Sequence, residues 1–467
     1  MTNIFDQDLD PNSANFTALS PVSFVERSAE IFGDLSSVVH GHRKYTWAQT
    51  RDRSARLAAA LQSLGVARGT TVSAMLPNTP EMLEVHYAVP ALNAVLNPLN
   101  TRLDAALIAW QLNHCECAVL ITDREFAPVM AKALDILKTQ FGRSIVVVDV
   151  CDSEYTGPGE QLGQYEYEAW LASHEPLSKL EGPQNEWDAI AVSYTSGTTG
   201  DPKGVVTHHR GAYLNAVSNV ATWTMPHFPT YLWTLPMFHC NGWCFPWTVA
   251  MQAGVHVCLR RVEPAAILAA MREHAVDHYC AAPIVHSLIY NAPAELRQGI
   301  NQQVRGMVAG AAPPAAMIEG MEQLGFDLTH VYGLTEVYGP AAVCAVTRDA
   351  VEEHRRGDDL LIISLRETLE EFEAFGRGDE EVQRVDLRPH LVGDLIAHRT
   401  GVLAGHADAG KDRIRVTEVE GEEAGDIALL TTRLVVDLLL AGADTTPAPP
   451  PTPGPRGARM AHGCSTA

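Results

Sequence analysis

Hydrophobic positions along the chain follow two alternating rhythms. Apolar residues at helical spacing predict helices over 21–32, 46–64 and 80–92; in the second, Leu57, Ala58, Leu61 and Leu64 share one face. Short unbroken apolar runs predict strands at 71–75, 117–121, 145–150, 189–194, 256–259, 278–281, 307–309 and 330–332. Runs apolar on both faces are the pattern of buried parallel strands, which need helical crossovers. The alternation from residue 20 to about 346 therefore predicts a layered α/β domain. Beyond 346 the rhythm changes: 359–375 and 427–441 read as helices, and strand signals thin out. Six prolines between 447 and 455 exclude helix and inner strand, so 447–467 is expected to be a disordered tail. The expected layout is an α/β domain at 1–346, a mostly helical segment at 347–446 and the proline-rich tail.

Composition narrows the function classes. With 46% hydrophobic residues in 467, a substantial core is available. A formal charge of −22 repels nucleic acid and anionic lipid, so neither is expected as a partner. No run of 18 apolar residues occurs, so no integral membrane segment is expected. The polar, acidic N-terminus lacks a signal-peptide pattern, and nine cysteines in so long a chain read as reduced thiols. Together these features predict a cytoplasmic protein.

The most specific string is residues 194–206, Tyr-Thr-Ser-Gly-Thr-Thr-Gly-Asp-Pro-Lys-Gly-Val-Val, which follows a predicted strand. Gly197 and Gly200 let backbone N–H groups approach phosphate oxygens without Cβ interference. Thr195, Ser196, Thr198 and Thr199 add hydroxyl donors, and Lys203 adds a movable positive charge. The set suits a triphosphate, although the common Gly-x4-Gly-Lys-Ser/Thr spacing is absent. The competing reading is a flexible surface loop after a strand.

This string resembles the signature phosphate loop of the adenylate-forming acyl-CoA synthetases, the AMP-binding ligases. Three further strings match that family in order: 235–247 (Leu-Pro-Met-Phe-His-Cys-Asn-Gly-Trp-Cys-Phe-Pro-Trp), Gly310-Ala311-Ala312-Pro313-Pro314, and Tyr332-Gly333-Leu334-Thr335-Glu336. The resemblance covers residues 15–346 and implies an enzyme that joins a carboxylic acid to coenzyme A. A carboxylate attacks the α-phosphorus of ATP to give acyl-AMP and pyrophosphate, and the coenzyme A thiol then attacks the adenylate. Charge neutralisation and in-line alignment are the physical needs of the first step.

On this resemblance Lys203, His239, Thr335 and Glu336 are the catalytic group. Glu336 is the Mg²⁺ ligand, since a hard cation wants carboxylate oxygen and shares it with phosphate. Thr335 touches the α-phosphate, and Tyr332 with Gly333 faces adenine. Gly310, Ala311, Ala312 and Pro313 form the opposite wall of the nucleotide site. His239 is an aromatic gate, and Trp243, Phe245 and Trp247 form the wall or floor of the acyl pocket; core packing is the alternative for these three. The trio His239, Cys240 and Cys244 also invites a zinc reading, but no fourth ligand with suitable spacing is evident. ATP, Mg²⁺ and coenzyme A are the expected cofactors and co-substrates. The acid is expected to be short- or medium-chain or aromatic.

The later part departs from this family. Asp394 and Lys411 only partly imitate its ribose-binding aspartate and the lysine of its mobile C-terminal domain. Residues 355–446 resemble instead a segment of the haem-thiolate cytochrome monooxygenases, through Ala441-Gly442-Ala443-Asp444-Thr445-Thr446. The cysteine loop that would ligate haem is missing, so no haem is expected. The expectation is a ligase body with weakened turnover. The alternative is a non-catalytic nucleotide or acyl-adenylate binding remnant.

Overall fold

The computed structural model describes residues 10, 12, 14–195 and 202–344. The chain separates into two units, Met1–Gly376 and Arg377–Ala467, and every described residue belongs to the first. Ser196, Gly197, Thr198, Thr199 and Gly200 lie outside the described residues. So do the predicted helical segment, Asp394, Lys411 and the proline-rich tail.

Among the described residues the strands in chain order are β1 (Ser36–His40), β2 (Arg43–Thr46), β3 (Thr71–Met75), β4 (Val95–Pro98), β5 (Val119–Asp123), β6 (Val146–Val150), β7 (Tyr165–Glu166) and β8 (Ala189–Thr195). They continue with β9 (Lys203–His208), β10 (Thr230–Leu232), β11 (Val255–Val257), β12 (His278–Ala281), β13 (Val304–Val308), β14 (Phe326–Leu334) and β15 (Gly339–Val343). One sheet has the order β15-β14-β13-β12-β10-β11-β1-β2 and the other β7-β6-β5-β3-β4-β8-β9. The inner pairs are parallel, whereas β1–β2, β8–β9 and β14–β15 are antiparallel pairs at sheet edges. The α/β class expected from the sequence is the one observed.

Local chemistry explains the elements. All five residues of β3 are buried, as an inner parallel strand requires. The helix Trp47–Ser63 starts on a capping box in which Thr46 and Gln49 satisfy each other's backbone N–H groups. The helix Pro80–Ala91 has every residue buried. It touches β1 of one sheet and β3 and β4 of the other, so no polar face is left for solvent. The largest apolar cluster accordingly joins Val38 of the first sheet to Val72 and Leu96 of the second.

A buried ionic staple also ties the sheets together. Arg260, just beyond β11, donates to both carboxylate oxygens of Asp123 at 2.9 Å, to Asp152 at 2.7 Å and to Glu125 at 2.7 Å. Arg43 of β2 donates to Asp152 at 2.9 Å and to Glu81 at 2.6 Å. Asp123 and Asp152 expose none of their side chains, so these charges exist only as a matched set.

Several boundaries differ from the sequence expectation. The strand expected at 117–121 lies at Val119–Asp123, and the one expected at 307–309 is the end of β13. The strand expected at 330–332 is the middle of the nine-residue β14. The strands β1, β2, β4, β7, β9, β10 and β15 carry too short or too polar a pattern to stand out. In β2, for example, Arg43 and Lys44 occupy two of four positions.

Candidate active site

The phosphate-loop string is the connection of an edge hairpin. β8 ends at Thr195, which pairs with Lys203 at the start of β9. Lys203 is exposed at that mouth. The strand β9 packs against the 3-10 turn Thr335–Val337, which joins β14 to β15. The edge of one sheet therefore meets the edge of the other, and Lys203, Thr335 and Glu336 sit on elements in contact.

Between these two edges lies the segment 239–244. Asn78 holds its approach by donating to the carbonyls of Trp233 at 2.8 Å and Leu235 at 3.0 Å, and by accepting from Met237 N at 2.9 Å. His239 then precedes a tight turn that touches both β8 and β15. His239 keeps an exposed face, and partial desolvation by the surrounding protein lowers its imidazole pKa, so at neutral pH it is an uncharged aromatic ring. Cys240 Sγ lies 3.2 Å from Thr335 Oγ1. Burial raises the Cys240 thiol pKa; the Thr335 hydroxyl opposes this, and the nearby Glu336 carboxylate adds to it. Ser193 Oγ, near the end of β8, donates to Asn241 Oδ1 at 2.8 Å.

The aromatic residues that follow are deep. Trp243 is buried against the backbone of Gly339, and its carbonyl accepts from Asn219 Nδ2 at 3.0 Å. Phe245 stacks on Tyr231 with centroids 4.8 Å apart and meets Trp223 edge-on at 5.6 Å. Trp247 Nε1 donates to Tyr338 Oη at 3.5 Å. Phe245 and Trp247 are fully enclosed and support the segment from behind.

The motif Tyr332–Glu336 closes the opposite side. A Cβ on Gly333 would lie 1.9 Å from Gly339 O, so only glycine lets β15 fold back there. Burial, with help from Glu336, raises the Tyr332 phenol pKa. Glu336 is exposed and makes no ion pair with a described residue. Among the described residues no three His, Cys, Asp or Glu side chains gather as metal ligands. A single free carboxylate suits Mg²⁺, which keeps waters and takes its remaining oxygens from phosphate. It does not suit the zinc reading: Cys240 faces Thr335, while Cys244 Sγ donates to Tyr338 O at 3.6 Å.

Gly310, Ala311, Ala312 and Pro313 follow β13 and precede the helix Ala315–Gln323. Because β13 and β14 are parallel and pair Val308 with His330, this turn and Tyr332 leave the same edge of the sheet. That edge is the carboxyl end of parallel strands, where open α/β sheets hold their ligands. Sequence reasoning missed Ser193, Asn215 and Asn219. The last two donate from the helix His209–Thr222, Asn215 to Val337 O and Tyr338 O at 3.4 Å and Asn219 to Trp243 O. Their only signal was an asparagine every fourth position on one helix face.

The AMP-binding enzyme family matches residues 25–358. The peroxisomal acetate/butyrate–CoA ligase of Arabidopsis thaliana is 44% identical over 72% of this chain and 61% of its own length. An acetate–CoA ligase of Humulus lupulus is 42% identical over the same shares of each chain. The chain thus spans about three fifths of the length of these curated relatives. Among solved structures, the anthranilate CoA ligase AuaEII in complex with anthranoyl-AMP shares the fold with a TM-score of 0.63 and 21% identity, over 71% of this chain and 63% of that one. The N-terminal domain of FACL13 from Mycobacterium tuberculosis does so with a TM-score of 0.59 and 23% identity, over 72% and 80%. The haem-thiolate resemblance of 355–446 falls almost wholly beyond the matched region and outside the described residues. By the extent of its family match and its identity to these ligases, the chain belongs to the AMP-binding enzyme family.

Proposed function

We propose that this chain activates a carboxylic acid with ATP for transfer to coenzyme A. The carrying observation is the meeting of two sheet edges: β9 with Lys203 packs against the turn with Thr335 and Glu336. Two negatively charged reactants must approach each other there, so the site has to neutralise phosphate charge and fix the line of attack. Lys203 and the hydroxyls and backbone of the 195–200 loop grip the β- and γ-phosphates. Thr335 holds the α-phosphate, and Glu336 would hold Mg²⁺. Bound there, the cation would supply further charge neutralisation on phosphate oxygen. The carboxylate oxygen forms a bond to the α-phosphorus as the bond to the bridging oxygen breaks, and pyrophosphate leaves with that electron pair.

Neutral His239 presents aromatic surface beside the acyl group, with Trp243, Phe245 and Trp247 packed behind. Short aliphatic acids are the substrates that the relatives' names favour, with benzoate the aromatic alternative. Carboxylate-dependent exchange of pyrophosphate into ATP, run with acetate, butyrate, 2-methylpropanoate and benzoate, tests the reading. Exchange with at least one acid is the expected result; no exchange with any of them refutes catalysis. The alternative reading is a non-catalytic nucleotide or acyl-adenylate binding protein, and saturable ATP binding without exchange would select it. We place the protein in the cytoplasm, and cell fractionation tests that placement.

A further inference from the structure

We infer that the turn 240–244 is a strained spacer that fixes the phosphate-loop strand against the Thr335–Glu336 turn, with Asn241 and Cys240 as positioning residues. This inference rests on the site read above.

Five consecutive residues have positive φ: Cys240 at 42°, Asn241 at 41°, Gly242 at 54°, Trp243 at 53° and Cys244 at 65°. Asn241 (ψ 52°), Gly242 (ψ 35°) and Cys244 (ψ 6°) lie in the left-handed region. Gly242 adopts this freely, and a Cβ there would also strike the Trp233 ring at 2.9 Å. Asparagine tolerates it at Asn241, whereas for Cys240, Trp243 and Cys244 left-handed backbone costs about 1–2 kcal/mol each. Such strain persists only where the surroundings over-determine it.

Here they do. Asn241, 1% exposed, is fixed by Ser193 of β8, two residues before the phosphate loop begins. Cys240 meets the Thr335 hydroxyl. Asn219 holds the Trp243 carbonyl, and Cys244 reaches Tyr338 O just past Glu336. A turn needed only for packing would place glycine or apolar residues at these positions. Instead, Asn241 and Cys240 extend to opposite sides, one to the phosphate-loop strand and one to Thr335. Their bonds cross between two sheets that share no strand. The strain therefore sets a distance, the one across which phosphate and metal-holding groups face each other.

Asn241→Gly separates this role from packing, because glycine keeps the left-handed backbone while removing the bond to Ser193. Hydrogen exchange of the full chain should rise about tenfold in peptides covering 189–195 and 335–343, with no fall in melting temperature. Cys240→Ala should loosen 335–343 alone, and Cys240→Ser should restore its protection. In pyrophosphate exchange, Asn241→Gly should lower kcat about tenfold with KM for ATP nearly unchanged, since misplacement acts on the reacting geometry. Unchanged hydrogen exchange at both peptides, or equal behaviour of the Ala and Ser variants at Cys240, overturns the inference. A parent chain that shows the coupled protection but no carboxylate-dependent exchange refutes the ligase reading and leaves the spacer intact. An active parent whose Asn241→Gly variant keeps full kcat refutes the spacer alone.

Discussion

Replacing Gly333 by alanine forces a methyl group into the path of a backbone carbonyl. The new Cβ would sit 1.9 Å from Gly339 O, 2.6 Å from Gly339 C and 3.1 Å from Pro340 N. A Cβ atom essentially never lies within 3.0 Å of an atom outside its own residue and chain neighbours. The start of β15 must therefore retreat by about 1 Å, a misplacement that costs on the order of a hundredfold when it reaches reacting groups. It reaches the proposed nucleotide-binding turn: Thr335 and Glu336 lie within the loop that β14 and β15 close, and Tyr338 N donates to Thr335 O at 3.1 Å. Overpacking of this kind costs about 1–3 kcal/mol of stability. Thermal unfolding of Gly333→Ala should thus show a modest loss, while pyrophosphate exchange falls by roughly a hundredfold. Parent-like exchange in a folded Gly333→Ala variant would refute the claim that this hairpin sets the position of the proposed catalytic turn.

Two stability predictions follow from buried charge. His86 and His256 are held neutral by burial, with pKa values lowered from 6.5 to about 4 and about 3. Trp233 Nε1 donates to His256 Nδ1 at 3.1 Å, so protonation there would also break a bond. The unfolded chain takes up protons below about pH 6.5 that the folded chain refuses, so stability is full above that pH and falls as pH drops toward 4, by about 1.4 kcal/mol per pH unit for each histidine. Urea unfolding at pH 7, 6 and 5 should show this slope, and a flat profile would contradict it. Arg260→Ala strands the buried carboxylate of Asp123, while Asp152 keeps Arg43, and should cost about 3–5 kcal/mol in the same assay. A loss below about 1 kcal/mol would mean that the staple does not tie the sheets together.

The inner strands were legible because burial on both faces writes an unbroken apolar run, as in β3 and β12. Edge strands were not, because one side is solvent or loop: β9 carries Lys203 and Gly204, and β15 reads Gly-Pro-Ala-Ala-Val. The site's ingredients were legible as strings, since phosphate, metal and adenine each call for particular residue types. Their joints were not. Ser193 looked like one polar residue in an apolar strand, and its partner Asn241 is 48 positions away. Only the Asn241-Gly242 pair, a left-handed turn signal, hinted that the aromatic segment bends sharply there. Gly333 read as nucleotide surface, yet the close carbonyl of Gly339 explains it without any ligand.

Calorimetric titration of the full chain with ATP, with and without Mg²⁺, tests most directly whether Lys203 and Glu336 serve one nucleotide. Saturable binding is expected, tighter with Mg²⁺. Lys203→Ala should weaken both titrations, and Glu336→Gln should abolish only the Mg²⁺ increment. An absence of saturable ATP binding, or a Mg²⁺ increment that survives Glu336→Gln, would contradict the account.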